Sequence, residues 1–251
     1  MCGRYELHTH PVALALAFGL KVPPALLPRY NIAPTQEVPV IRQSTAGERE
    51  LAFVRWGLVP RWAKDPSIGT RMINARAETL AEKPSFRIAL QKHRCLIPAD
   101  GFYEWKQTAS GTKQPIHIGM KDGSTFAFAG LAERWLSPEG EMLDTCTIVT
   151  TRANAMLSVM QDRMPAIVDP SHYDRWLDVA NPDVAEILVP YPADSMRWYP
   201  VSTRVNAVRN DDPRLIEAMA AEAEPAVAAT ATSRGVEAEP LLTNPEQAEL
   251  F

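Results

Sequence analysis

Apolar and polar residues alternate through Glu37–Gln43 and again through Arg49–Trp56, on either side of a Ser-Thr-Ala-Gly-Glu turn. That period of two predicts a β-hairpin. Short runs rich in β-branched and aromatic residues predict further strands at 94–99, 101–105, 114–120, 125–131 and 145–150, with 164–168 and 197–201 completing the series. Helical spacing is scarcer. Residues 11–20 read as a short amphipathic helix stopped by Gly19 and by Pro23, Pro24 and Pro28. Residues 78–92 read as a helix in which Pro84 must sit in the first turns or break it. Another helix is predicted at 154–160, and two more at 170–178 and 181–188, started by a proline near the first turn and by Asn or Ser caps. Many short strands among few helices predict an α+β fold, a single domain around a curved or barrel-like β-sheet with peripheral helices.

Composition adds a boundary. From about Arg214 alanine, glutamate and threonine dominate, and no aromatic residue recurs until Phe251. Residues 214–251 are therefore expected to be a flexible acidic, Ala-rich tail on a domain spanning 2–213. Charge follows the same line. The net charge is −4, but the residues after 215 hold one basic residue and seven glutamates, leaving 25 basic and 23 acidic residues in 1–215. A mildly basic body is compatible with nucleic acid as a partner. The 22 prolines fit a loop-rich α+β body better than a helical bundle. Cys2, Cys95 and Cys146 show neither CxxC spacing nor an even-numbered framework, so no disulfide scaffold, zinc site or cofactor is expected. No run is long and apolar enough to span a bilayer, and no secretory signal pattern opens the chain. A cytoplasmic monomer is the expectation.

The distinctive chemistry lies at Cys2. Removal of Met1 would give it a free α-amine beside its thiol. An aldehyde meeting that pair can be captured by the amine as an imine, and the thiol can then close on the same carbon to form a thiazolidine. An α-amine titrates near ~7.7–8.0, so an appreciable fraction is uncharged around neutrality. The five histidines, His8, His10, His93, His117 and His172, show no spacing that makes a metal site.

Seven segments stand out in order: Met1-Cys2-Gly3-Arg4-Tyr5, Arg29-Tyr30-Asn31-Ile32-Ala33-Pro34, Trp56-Gly57-Leu58-Val59-Pro60-Arg61-Trp62, Ile73-Asn74-Ala75-Arg76-Ala77-Glu78-Thr79, Ala99-Asp100-Gly101-Phe102-Tyr103-Glu104-Trp105, Asp162-Arg163-Met164-Pro165 and Val201-Ser202-Thr203-Arg204-Val205-Asn206. In order and spacing they resemble the SOS-response-associated peptidase family of abasic-site-processing proteins, over roughly residues 2–212. The resemblance implies capture of abasic sites in single-stranded DNA as a covalent DNA–protein cross-link in the response to DNA damage. It also keeps a peptidase activity in view, as self-processing that exposes Cys2. Residue by residue it implies that Cys2 is the nucleophile, that Glu104 is the catalytic carboxyl, and that Asn74 orients the amine or holds the sugar oxygen. Arg4, Arg76 and Arg163 match positions that contact phosphates, and Trp62 matches an aromatic that stacks against bases. One position departs. The family has a histidine immediately before Asp-Arg-x-Pro, and here it is Gln161, which keeps hydrogen bonds but cannot exchange a proton near neutrality.

The chain ends Gln247-Ala248-Glu249-Leu250-Phe251. Gln-x-x-Leu-Phe resembles the peptide by which bacterial DNA-processing proteins dock on the sliding clamp, with Leu250 and Phe251 filling an apolar pocket and Gln247 at its edge. Two other classes compete. Met-Cys-Gly also opens the class II glutamine amidotransferases, but the Gly-Asn-Gly segment expected there is absent. A non-covalent single-strand DNA-binding module could use the arginines and Trp62 without forming a bond.

Overall fold

A computed structural model of the chain describes residues 2–219. The alternating hairpin forms as its pattern dictates. β3 (Glu37–Gln43) and β4 (Arg49–Trp56) pair antiparallel from Glu37↔Arg55 to Gln43↔Arg49. β3 also pairs with β6 (Arg94–Ala99) at Ile41↔Leu96, and β6 pairs along its whole length with β9 (Phe126–Leu136). β9 turns into β10 (Met142–Arg152), and β10 runs back parallel to β4 at Thr145↔Arg55 and Cys146↔Trp56. The ring β10-β4-β3-β6-β9 thus closes on itself as a barrel, and a closed sheet leaves no edge in the ring.

A second sheet lies against this barrel. Its order is β13 (Met196–Pro200), β8 (Lys113–Met120), β7 (Gly101–Gln107), β1 (Tyr5–Leu7) and β2 (Arg29–Ile32). Aromatic side chains fill the space between the sheets. Phe128 of β9 meets Phe102 of β7 at 5.9 Å and Tyr5 of β1 at 5.8 Å between ring centroids, and Tyr5 meets Trp56 of β4 at 5.4 Å, all edge to face. Because successive strand residues face opposite ways, Phe102 enters this main core while Tyr103 enters a smaller cluster with Val201, Val205 and Leu215 on the other side of the sheet. β7 is therefore covered on both faces, and Glu104 projects to the same side as Phe102.

Two glycines make close approaches possible. At Gly101 on β7, Glu6 of β1 and His117 of β8 reach over the backbone and meet at 2.8 Å, both buried. A Cβ on Gly101 would stand 2.3 Å from His117 Nε2 and 2.7 Å from Glu6 Oε1. At Gly57, which has φ 129°, a Cβ would stand 2.7 Å from the carbonyl oxygen of Gly69. These two backbones pinch the base of the excursion that runs from β4 to β5 (Asn74–Arg76). β5 then returns to the edge that β4 left, pairing parallel with β10 from Ile148↔Asn74 to Thr150↔Arg76.

The first helix forms as α1 (Pro11–Phe18), ended by Gly19 in the left-handed conformation, but it is apolar all round rather than amphipathic, with Val12 and Leu16 exposed. Several predicted helices are shorter than their patterns suggest. Of 78–92 only α2 (Arg87–Lys92) is α-helical, after 3-10 and irregular turns around Pro84. Residues 154–160 form turns, not a helix; the Asn154 side chain accepts from Leu157 N–H at 3.0 Å and donates to the Tyr191 carbonyl at 2.8 Å. The segment 170–178 splits into a 3-10 turn and α3 (Tyr173–Leu177), and 181–188 keeps a 3-10 turn at Ala185–Ile187. The strand expected at 164–168 is two, β11 (Arg163–Pro165) on β10 and β12 (Ile167–Val168) on β9. Contacts with the body continue past residue 213. Leu215 is fully buried, and Met219 N–H donates to the Pro200 carbonyl at 2.9 Å. Among the described residues no helix is long and apolar enough to cross a membrane.

Candidate active site

The pairing of β1 with β7 decides where Cys2 goes. Tyr5 faces Phe102, Glu6 faces Gly101, and Tyr103 N–H donates to the Arg4 carbonyl at 2.9 Å. Continued one residue at a time, this antiparallel ladder carries the segment before β1 alongside Tyr103, Glu104 and Trp105. Cys2 is 0% exposed, and its thiol lies 3.8 Å from the Arg4 carbonyl. Burial pushes the Cys2 thiol far up, and the charge of Glu104 adds to that shift. Glu104 itself is 3% exposed, and burial raises its carboxyl above the ordinary range, opposed by the charge of the chain's amino terminus. Cys2 and Glu104 therefore form one electrostatic unit.

Asn74 joins them from the barrel side. Its Nδ2 donates to the Cys2 carbonyl at 2.8 Å, and its buried Oδ1 has no hydrogen-bond partner among the described residues. The position of Asn74 depends on two anchors. The indole of Trp56 donates to the Ile73 carbonyl at 2.9 Å, and β5 is fixed to β10 by its parallel pairing.

The arginines divide into two kinds. Arg4 is held by protein: its Nη1 donates to Asn31 Oδ1 at 2.6 Å and to the Val205 carbonyl at 2.8 Å, while its guanidinium lies 5.9 Å from the centre of the Trp105 ring. Asn31 is itself fixed by donations to the carbonyls of Val205, Ala207 and Asn210. Arg163 is 9% exposed and makes a bidentate pair with Glu78, at 3.2 and 2.9 Å, and two bonds to Thr150. That guanidinium holds the Glu78 carboxyl below its usual range. Arg76 is different. It is exposed, two residues beyond Asn74, and no ion pair engages it among the described residues. Trp62 stands 59% exposed in the excursion between β4 and β5. Gln161 is half-buried at the end of the 154–160 turns, its N–H donating to the Leu157 carbonyl at 2.9 Å.

The fold thus brings Cys2, Glu104, Asn74 and Arg4 together, sets Arg163 behind Glu78, and leaves Arg76 and Trp62 facing solvent. Gln247, Leu250 and Phe251 lie outside the described residues. Several supporting residues are not apparent from the sequence as site residues. Asn31 and Asn206 stand within the seven segments, yet nothing local shows that Asn31 anchors Arg4 or that Asn206 Oδ1 accepts the Trp105 indole N–H at 2.8 Å. Among the described residues no group of three or more His, Cys, Asp or Glu side chains is arranged to hold a metal.

Comparison with known proteins points one way. The family model for SOS response associated peptidase (SRAP) matches residues 1–208. The abasic site processing protein YoqW of Bacillus subtilis is 46% identical over 223 residues, covering 86% of this chain and 99% of that protein. The abasic site processing protein HMCES of Gallus gallus is 35% identical over 241 residues, covering 83% of this chain and 71% of that protein. Among solved structures, a protein from Bacteroides thetaiotaomicron superposes with a TM-score of 0.77 at 27% identity, over 87% of this chain and all of that one.

Proposed function

The chain belongs to the SOS response associated peptidase family, and on that premise we propose that it processes abasic sites in single-stranded DNA by forming a covalent cross-link through Cys2. The observation that carries the reading is the buried Cys2–Glu104 pair with Asn74 bonded to the Cys2 carbonyl.

The reaction follows from the ionisation states. Removal of the residue before Cys2 frees its α-amine, and the family's peptidase chemistry has a natural role in that step. The abasic sugar is mostly a ring-closed hemiacetal. Glu104, kept protonated further toward neutrality by burial, gives its proton to the ring oxygen and takes one back from the anomeric hydroxyl as the ring opens, and then serves as the acid for loss of water once the amine has added to the aldehyde carbon. The products of that stage are a protonated imine, a water molecule and a Glu104 carboxylate. The thiol, held protonated by the same burial, does not compete with the amine for the aldehyde. It then gives its proton to the Glu104 carboxylate, restoring the acid, and its sulfur closes on the protonated imine carbon, the C=N electron pair passing to the nitrogen, which keeps its proton and completes the thiazolidine. Asn74 orients the Cys2 backbone through Nδ2, and its Oδ1 is an acceptor for the amine N–H or the sugar hydroxyl.

DNA contacts fall to the exposed groups. Arg76 meets a backbone phosphate and Trp62 stacks on a base. Arg4, held by an amide and a carbonyl oxygen, contributes positive potential and fixes the Cys2 segment, while Arg163, charge-paired with Glu78, fixes that segment. The DNA-processing domain extends through the buried Leu215 to Met219, and the segment ending Gln247, Leu250 and Phe251 is a clamp-docking peptide.

The test is incubation with single-stranded DNA carrying one abasic site, followed by a denaturing gel. A shifted band that disappears in Cys2→Ala is the expected result. Binding that survives only under native conditions would refute the covalent reading, and mass spectrometry of the isolated protein reports whether Met1 is removed.

A further inference from the structure

The end of the barrel that carries the β3–β4 and β9–β10 turns holds a cavity of about 440 Å³. It is separate from the Cys2 site. On β10 its wall residue Asp144 stands four residues before Ile148, the partner of Asn74, and none of the residues assigned to catalysis lines it. Cations outnumber carboxylates in the wall: Arg42, Arg61, Lys92, Arg94 and Arg134 against Glu133 and Asp144.

The pairing of these groups leaves positive charge over. Arg94 is 3% exposed, and its guanidinium donates to the carbonyls of Trp176, Leu90, Asp178 and Asn181, with no carboxylate oxygen among its hydrogen-bond partners. Carbonyl dipoles satisfy its N–H groups, and the one opposing charge that acts on it, the Asp178 carboxylate, makes no hydrogen bond to it. Lys92 is exposed and has no ion pair among the described residues. Arg42 pairs with Glu50 at 2.8 Å, but both side chains are about two-fifths exposed, and pairs of that kind hold weakly. Arg134 is neutralised by Asp144 and Arg61 by Glu133. These cations converge. Burial is the first cause that disfavours protonation of His93, and after the opposing charge of Glu133 come Arg61, Lys92 and Arg42, all acting on the same ring.

We propose that this cavity is an anion site that takes a phosphate group. Lys92, which has no ion pair among the described residues, and Arg42, held weakly through Nε alone, leave donors for phosphate oxygens beside the buried Arg94. The volume lies within the roughly 300–1,000 Å³ of small-ligand sites. Two carriers offer the same chemistry. One is a free phosphate monoester. The other is the backbone of a nucleic-acid strand passing Trp62, whose neighbour Arg61 lines the cavity. The site stands independently of the reaction at Cys2.

The experiment compares the full-length protein with Arg42→Ala/Lys92→Ala. AMP binding is measured by calorimetry. Binding of a single-stranded oligonucleotide without an abasic site is measured by fluorescence anisotropy between about 50 and 200 mM salt. Saturable AMP binding that weakens about tenfold or more in the variant supports the site. If the slope of log affinity against log salt also falls, by about 0.7 for each lost phosphate contact, the strand is the carrier. An unchanged slope assigns the site to the free monoester. A fall in the slope without AMP binding assigns it to the strand alone. No AMP binding together with an unchanged slope overturns the proposal. Thermal melting checks that the double variant is folded, and if it is not, Lys92→Ala alone, an exposed side chain, carries the same comparison.

Discussion

The side-chain amide of Asn74 donates to the backbone carbonyl of Cys2 at 2.8 Å, so a strand fixed to the barrel holds the opening segment of the chain in place. Asn74→Ala removes that bond and leaves the parallel pairing of β5 intact. Cross-linking should slow by at least about tenfold, the worth of roughly one good hydrogen bond, while the melting temperature changes little. Single-turnover kinetics on abasic single-stranded DNA measure the first, and thermal melts the second.

Glu104→Gln keeps the shape and hydrogen-bonding reach of the side chain but cannot move a proton. The cross-linking rate should fall by about 10²–10⁴, the usual contribution of a positioned acid–base group, and its pH dependence should flatten on the limb that reports Glu104. A rate within threefold of wild type would remove Glu104 from the mechanism.

The same substitution has a signature in stability. Burial raises the Glu104 carboxyl in the folded state above its unfolded value. Such a group contributes stability that is fully present below the unfolded pKa and is lost as pH rises through the folded one. Glu104→Gln should therefore gain on wild type as pH is raised from the acid side of that window to neutrality. Melting curves at about pH 4 and pH 8 bracket the unfolded carboxylate value of roughly 4.3, and a difference that shrinks at the higher pH would contradict the assignment.

Gly101→Ala places a methyl group between Glu6 and His117, at 2.3 Å from one and 2.7 Å from the other. Over-packing and separation of a buried pair should together cost about 3 kcal/mol or more, read as a lower urea midpoint with an unchanged slope. The register of β1 on β7 depends on this crossing, so cross-linking should fall with stability.

Gln161→His introduces a side chain that exchanges protons near neutrality at a half-buried position in the Asp-Arg-x-Pro loop. The rate of forming or reversing the cross-link should change. Identical kinetics in both directions would show that the position takes no part in proton transfer.

How much of this was visible in the sequence depended on the range of the interaction. The β3–β4 hairpin and β6 were legible because their own residues carry the pattern: alternation in one, an unbroken buried run in the other. β1 and β5 were not, since three residues hold no period and each exists only because β7 or β10 accepts it. Ala155, Met156, Leu157 and Met160 suggest a helix, yet the segment closes as turns whose Asn154 side chain bonds both Leu157 N–H and the Tyr191 carbonyl. The candidate site followed similar lines. Cys2, Glu104 and Asn74 lie in recognisable segments. The committed state of Arg4 and Arg163 was hidden, because their partners lie 27 and 85 residues away at Asn31 and Glu78.

β10 accepts β4 at Thr145 and Cys146 and then β5 from Ile148 to Thr150 along the same edge. The chain between Trp56 and Asn74 is in effect an inserted loop whose two stumps sit on neighbouring rungs, closed at the neck by Gly57 and Gly69. Trp62 rides on that loop and Asn74 on the stump behind it. On the proposed roles, a change in the loop beyond that neck alters what Trp62 meets while the rungs that place Asn74 stay paired to β10.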